Sequence, residues 1–276
     1  MGDAMAEFAS RYETLLLRRE RSRLYVTLNR PQVKNALNPV LIGELRTVFQ
    51  NLRDRRDVKA VILRGAGGCF CAGADLKNME QSMGERPRLG EKDPIAVNNR
   101  EYGTFLEMVN TSPQVVVAAV EGYAIAGGFG LLCVSDVAIC TEDAGFAMSE
   151  TAIGIVPAQI APFVAARIGV PQTRHLALTA ARFKGPEALR LGIAHHLVKD
   201  STALDAKLEE ILKQIDRCAP LANALTKAVV LKVGSEPLSD VLDFAADRFA
   251  EARRSPEAAE GLRAFAEKRP PKWMVE

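Results

Sequence analysis

V-V-V-A-A-V-E-G-Y-A-I-A-G-G-F-G, Val115 to Gly130, joins a wholly apolar run to a cluster of small residues. Val115–Val120 has no polar alternation, so it reads as a strand buried on both faces, as in a sheet covered by helices. The small residues that follow stand where the strand gives way to a helix. At such a junction the first backbone N–H groups have no intrahelical partner, and small side chains let an anionic oxygen approach them. Glycines after a strand also serve as plain turn or packing residues, and this stretch by itself leaves both readings open.

A second junction of the same kind lies upstream. Val58–Leu63 is a short β-branched run ending in R-G-A-G-G, and C-F-C-A-G-A-D-L (Cys69–Leu76) follows it. Two such junctions facing each other would form an oxyanion hole, in which each donor is typically worth ~2.7–4 kcal/mol of barrier. No G-x-G-x-x-G or G-x-x-x-x-G-K-[ST] spacing is present, which disfavours a nucleotide phosphate loop.

Working outward, Thr14–Leu17 and Arg23–Leu28 read as strands with the charged R-R-E-R-S stretch between them. Asn38-Pro39 opens a helix, since Asn caps free N–H groups and Pro suits the first helical position. Leu41, Leu45, Val48, Phe49 and Leu52 give that helix one buried stripe. Asp136–Cys140 is a third buried strand, and His195 and His196 fall in a late one. Short apolar strands separated by helical stretches define an α/β arrangement. The polar stretch Met79–Asn99, with Pro87, Gly90 and Pro94, reads as a loop, either a lid or a surface insertion. From residue 201 the pattern turns wholly helical: Leu204, Leu208, Ile211, Leu212 and Ile215, then Leu221, Leu225 and Val229, then Leu238, Val241, Leu242, Ala245 and Phe249.

The acid–base candidate is Glu150, the only ionisable residue in F-A-M-S-E-T-A-I-G-I-V-P (Phe146–Pro157). A carboxylate there loses hydration, which raises its pKa and suits it to proton transfer near neutral pH. From spacing alone, a Glu at a strand or helix end, solvated or capping an N-terminus, is the simpler reading. Asp75 reads first as a helix N-cap, and Asp136 as a partner for local backbone donors. Ser149 has no G-x-S-x-G elbow around it, which argues against a Ser-His-Asp triad.

Composition excludes several classes. A net charge of +2 gives no reason to expect nucleic acid or an anionic membrane as partner. Five cysteines without Cys-x-x-Cys spacing, and only three histidines, argue against a metal centre and for free thiols in a reducing compartment. The N-terminus is too polar for a signal peptide, and no apolar run reaches the ~20 residues that cross a bilayer. The expectation is a soluble, cytoplasmic protein.

Several ordered segments then act together: L-N-R-P-Q-V-K-N-A-L (Leu28–Leu37), C-A-G-A-D-L, E-G-Y-A-I-A-G-G, S-D-V-A-I-C, F-A-M-S-E-T-A-I-G-I-V-P, L-T-A-A-R-F-K-G-P-E-A-L-R-L-G-I-A-H-H-L-V and F-A-E-K-R-P-P-K-W. With these the chain resembles the crotonase superfamily, the enoyl-CoA hydratase/isomerase family, from about Tyr12 to the C-terminus. The resemblance implies a crotonase-like ββα spiral core over residues 1–200 that carries the CoA-thioester site. It implies a C-terminal helical trimerisation region over 201–276, and a homotrimer or dimer of trimers. It implies an acyl-CoA thioester as ligand, coenzyme A being part of the substrate and no separate cofactor being needed.

Carried over by motif, the two oxyanion donors fall on the backbone N–H groups of Ala74 and Gly127, with Gly128 beside the latter, and the catalytic glutamate on Glu150. Ala72, Asp75 and Leu76 would line the CoA path. Arg30, Lys34 and, from a neighbouring subunit, Lys268 or Arg269 are candidates for the CoA phosphates, solvated surface charge being the alternative for each.

Two departures stand out. Family hydratases carry a first glutamate in a G-G-G-C-E-type pattern, and that position is Gly130 here. E-T-A-I-G-I-V-P-A-Q-I-A-P-F-V replaces the frequent P-G-A-G-G-T-Q-R-L and is similar to hydratases of branched glutaconyl-CoA esters. The resulting expectation is hydration of a 2-enoyl-CoA by one glutamate. The rivals are an isomerase using that glutamate as proton shuttle and, in another class, an RNA-binding or non-catalytic relative. Arg18, Arg19, Arg21 and Arg23 are the residues that would support RNA binding, and they read more simply as a solvated strand edge.

Overall fold

The computed structural model describes residues 12–75, 87–88 and 90–274. Strands β1 (Leu15–Glu20), β2 (Arg23–Leu28), β3 (Ala60–Gly65), β4 (Val115–Val120), β6 (Val137–Thr141) and β9 (His196–Val198) form one sheet in the order β1-β2-β3-β4-β6-β9. All neighbours are parallel except the β1–β2 hairpin. A smaller sheet holds β5 (Tyr123–Ile125), β7 (Gly145–Ala147) and β8 (Arg182–Lys184) in the order β5-β7-β8.

The unbroken apolar runs of the central strands follow from burial on both faces. Successive side chains alternate between two clusters. Val26, Val61, Leu63, Val116 and Ala118 enter the larger one, beneath α1 (Pro39–Leu52) and α2 (Pro94–Asn110). Tyr25, Ala60, Ile62, Val117, Ala119 and Ile139 enter the other, covered by α7 (Ser201–Asp216) through Leu204, Leu208, Ile211, Leu212 and Ile215. The first helix of the C-terminal stretch therefore belongs to the sheet's core. The helices α8 (Pro220–Lys232), α9 (Leu238–Arg254) and α10 (Pro256–Ala266) extend beyond it. Lys227 of α8 ties back through ion pairing to Asp136 at 2.7 Å, and the same carboxylate accepts from Val116 N–H at 2.7 Å.

Each turn of the spiral runs from the large sheet to a short extended segment and then to a helix. Leu37 pairs in parallel with Ala74, Cys71 with Ala124, and β5 with β7. Those segments stack side by side, so the helix starts that follow them gather at one end of the molecule. α3 (Gly127–Cys133) follows β5, and a 3-10 turn (Glu150–Ile153) follows β7.

Several boundaries differ from the sequence reading. β1 runs to Glu20, because Arg18–Glu20 pair with Tyr25–Arg23 and the chain reverses at Arg21, φ 53°. Cross-strand pairing tolerates outward-facing charges that apolar patterning alone would exclude. β3 and β6 begin two and one residues later than expected and end at Gly65 and Thr141, while β4 has the expected bounds. The expected Met79–Asn99 loop ends at Asp93, whose side chain caps α2 by accepting from Ile95 N–H at 2.8 Å. Residues 79–86 and 89 lie outside the described residues. Among the described residues no helix is long and apolar enough to cross a membrane.

Candidate active site

The first donor is built by a hydrogen-bond pattern. Leu37 N–H donates to Gly73 O at 2.7 Å, and Leu37 O accepts from Asp75 N–H at 2.9 Å. In this parallel bridge Leu37 consumes the groups on either side of Ala74, so Ala74's own N–H faces the opposite edge. Upstream, Ala72 N–H donates to Lys34 O at 3.0 Å. Residues 34–37 thus template residues 72–75.

Asn35 anchors that template. It is fully buried with φ 56°; its Oδ1 accepts from Arg30 N–H at 2.8 Å, and its Nδ2 donates to Ala66 O at 2.9 Å and Cys69 O at 2.6 Å. Asn tolerates the left-handed region better than most residues. That property was a signal in K-N-A-L that periodicity and composition did not use.

The second donor sits at the start of α3. Ala126, its N-cap, has φ 49° and ψ −120°. A non-glycine residue held there stores strain of order 1–3 kcal/mol, and such strain clusters at functional turns. The turn presents Gly127 N–H as the first orphan donor of the helix.

The segments that carry the two candidate donors are neighbours. A Cβ on Gly73, the residue before Ala74, would stand 3.0 Å from the Cβ of Ala126, the residue before Gly127. A Cβ on Gly128 would meet the Cys71 carbonyl oxygen at 2.6 Å, so only glycine lets α3 pack this close to the first strap. Leu37 Cδ1 and the Tyr102 hydroxyl border Gly127 itself, 2.8 Å and 3.3 Å from where its Cβ would be.

Glu150 is the first residue of its 3-10 turn and only 8% exposed. Burial raises its pKa above the ordinary carboxylate value, and a backbone hydrogen bond within the residue offsets part of the rise. Its Oε2 is buried with no hydrogen-bond partner among the described residues. A desolvated, partly unsatisfied carboxyl of this kind is suited to proton exchange.

Tyr102, on α2, went unnoticed in the sequence. It donates from its hydroxyl to Gly127 O at 2.6 Å, and its own pKa is raised by burial first, then by Cys71 and Glu150. No sequence signal marks it, because partnership between α2 and α3 is a tertiary fact.

Gly130 is enclosed. A Cβ there would lie 2.2 Å from Ile160 Cγ2 and 2.8 Å from Ile160 Cβ. The two departures from the family pattern are one packing feature: the altered segment supplies the isoleucine that fills the space over Gly130.

The remaining candidates are placed as follows. Asp75 pairs with Arg30 at 3.1 Å, and Arg30 also donates to Ala36 O. Both side chains are thus engaged with the protein at the edge of the first strap. Lys34 is exposed, its ammonium 5.0 Å from the Tyr123 ring centroid. Lys268 is exposed beyond α10, while Arg269 pairs with Glu260 and Glu267, each at 2.6 Å. Leu76 lies outside the described residues. His195 accepts from Ala138 N–H at 3.0 Å through Nδ1, and burial, aided by Arg167 and His196, lowers its pKa to about 4. It is a neutral acceptor joining β6 to the chain before β9. Arg18, Arg19 and Arg23 are paired with Glu20, Asp57, and Glu209 and Asp216 respectively. Among the described residues no group of three or more His, Cys, Asp or Glu could hold a metal ion.

A spiral of ββα units, a small-residue helix start at Gly127, a small-residue segment at Gly73–Ala74 beside it and a buried carboxyl define a class of acyl-thioester enzymes, and comparison with known proteins agrees. Residues 18–276 match the family described as Enoyl-CoA hydratase/isomerase, and the chain belongs to that family, with its crotonase fold. AtuE of Pseudomonas aeruginosa is 52% identical with a TM-score of 0.90, covering 95% of this chain and 100% of that one. An enoyl-CoA hydratase/isomerase from Marinobacter aquaeolei is 45% identical with a TM-score of 0.91, covering 95% and 99%. Carnitinyl-CoA dehydratase of Escherichia coli K12 is 32% identical over 267 residues, 95% of this chain and 98% of that protein.

Proposed function

We propose that the protein hydrates a 2-enoyl-CoA thioester using one carboxyl group. The observation that carries this reading is the buried Glu150, whose Oε2 has no partner among the described residues, in a chain of the enoyl-CoA hydratase/isomerase family whose Gly73–Ala74 and Ala126–Gly127 segments lie side by side. The N–H groups of Ala74 and Gly127 bind the thioester oxygen and strengthen their hold as it becomes an enolate, which is where transition-state stabilisation is gained. Glu150 takes a proton from water as its oxygen bonds to C3. The C2=C3 electron pair moves onto the thioester, and as the enolate collapses C2 takes up the proton that Glu150 removed from water.

For the CoA portion, Ala72 and Gly128 supply close backbone approach along the strap, Asp75 and Arg30 its rim, and Lys34 and Lys268 exposed cations for phosphate. The altered segment after Glu150 supports a branched, glutaconyl-type acyl group.

One observation favours a second reading. The packing over Gly130 excludes a second carboxylate there, and moving a double bond from C3 to C2 needs only one proton shuttle. A panel of 2- and 3-enoyl-CoA esters, glutaconyl types included, incubated in ¹⁸O-water separates the two. Hydration yields a 3-hydroxyacyl-CoA carrying the label. An unlabelled positional isomer as the main product would replace hydration with isomerisation.

We further propose that α8–α10 pack between copies in a homotrimer. Leu238, Leu242, Phe249 and Phe265 are each at least 60% exposed along this tail, more apolar surface than a lone helical layer leaves to water. Light scattering coupled to size exclusion should read three or six subunits, and a monomer at micromolar concentration would rule the assembly out.

A further inference from the structure

A water molecule that attacks carbon has two hydrogens. One goes to the base, and the other needs an acceptor if the oxygen lone pair is to point at C3. With Gly130 closed off, the acceptor must come from elsewhere, and the packing of α2 against α3 indicates where.

Leu106 Cδ1 lies 3.5 Å from the point a Cβ on Gly130 would occupy, and Tyr102 Oη lies 3.3 Å from the same point on Gly127. Tyr102 is four residues before Leu106 and Gly127 three before Gly130, so the phenol stands one helical turn closer to the oxyanion donor than Gly130 does. Its proton is committed to Gly127 O at 2.6 Å, which leaves the oxygen able only to accept. Glu150 Oε2 has no hydrogen-bond partner among the described residues. Ala126 N–H donates to Ala147 O at 2.9 Å, which lays the segment leading into Glu150 alongside the turn at Gly127 that the phenol holds.

We propose that the Tyr102 oxygen is the second acceptor for the attacking water, fixing it against Glu150. The inference rests on the hydratase reading. As the O–C3 bond forms, Glu150 takes one water proton and the π pair passes to the thioester as the enolate. The remaining O–H, hydrogen-bonded to Tyr102, becomes the product hydroxyl. Tyr102 does not change its protonation state.

The test is Tyr102→Phe, which keeps the ring and removes the oxygen. Hydration kcat should fall by about 30- to 100-fold with KM within about threefold, the effect of losing one hydrogen bond to a group developing charge. Affinity for a 3-oxoacyl-CoA, whose enolate reports the two amide donors without needing water, should stay within about threefold. If kcat is retained, or if the 3-oxoacyl-CoA affinity falls in step with kcat, the acceptor role is overturned; in the second case the phenol acts only through Gly127. Tyr102→3-fluorotyrosine covers the event that the Phe variant is unstable. Fluorine makes the phenol a better donor to Gly127 and a poorer acceptor of water, so an acceptor role requires slower hydration and a clamp role does not. A parent enzyme that incorporates no ¹⁸O overturns the hydratase reading and this inference together. A parent that does so, with unaffected Tyr102 variants, overturns this inference alone.

Discussion

Glu150→Gln should lower hydration kcat by roughly 10²- to 10⁴-fold, the usual contribution of one general base, with little change in KM. The amide has the size of the carboxylate, so the loss reports chemistry and not packing. It can still hydrogen-bond water, yet it cannot take a proton. In the parent, burial holds the carboxyl's pKa above the ordinary value, so kcat/KM should rise with pH through that raised pKa and level off above it. In the variant this acid limb should vanish.

The sign for stability is opposite to the activity trend. A folded-state pKa above the unfolded one means the native protein binds this proton more tightly. The group's stabilising contribution is therefore complete below the unfolded pKa and is lost as pH rises through the folded one. Activity and this contribution thus trade against each other across the same pH window, as expected of a desolvated carboxyl acting as a base. A Gln variant with parental rate would remove Glu150 from the mechanism.

Gly130→Glu should fail to install a second catalytic carboxylate and should instead destabilise the protein by at least several kcal/mol. Two effects compete at this position. In an exposed helix interior, replacing glycine by alanine gains roughly 0.5–1 kcal/mol of stability through lost backbone freedom in the unfolded chain. Here the first added carbon would lie 2.2 Å from Ile160 Cγ2 within a closed core, and overpacking of that severity costs about 1–3 kcal/mol or more. The clash prevails, so even Gly130→Ala should lower the melting temperature. Glutamate adds an unpaired buried carboxyl to the clash. Ile160→Ala in the same chain should recover part of the loss, giving a coupling energy that distant sites would not show. Denaturant melts of the two single variants and the double variant measure it. A Gly130→Glu protein with parental stability would show that the space over α3 can open.

How far the site was legible in the sequence depends on the kind of information each residue carries. The helix start at Gly127 was visible because apolar runs and small residues are local patterns, although the short strand Tyr123–Ile125 stands between it and Val115–Val120; the start expected after Ala74 lies outside the described residues. Asn38 capping α1 was visible for the same reason, and its side chain accepts from Leu41 N–H at 2.9 Å. The roles expected of Ala74 and Gly127 came from resemblance, since nothing local singles out one small residue; Glu150 was marked locally as the one ionisable residue of an apolar run, and resemblance then preferred its catalytic reading. Asp136 was read as a partner for backbone donors; its bond to Lys227, from 91 residues away, could not be foreseen.

By itself the sequence determined the alternation of buried strands and helices, and the place where small residues open the helix at Gly127. Period, capping and residue size are properties of neighbours along the chain. The tertiary structure alone decided that Leu37 consumes the groups flanking Ala74, that Tyr102 reaches the first carbonyl of α3, and that Ile160 seals Gly130. Each of these depends on which surfaces the spiral brings within a few ångströms. That separation is set by the packing of whole elements, and no stretch of local sequence encodes it.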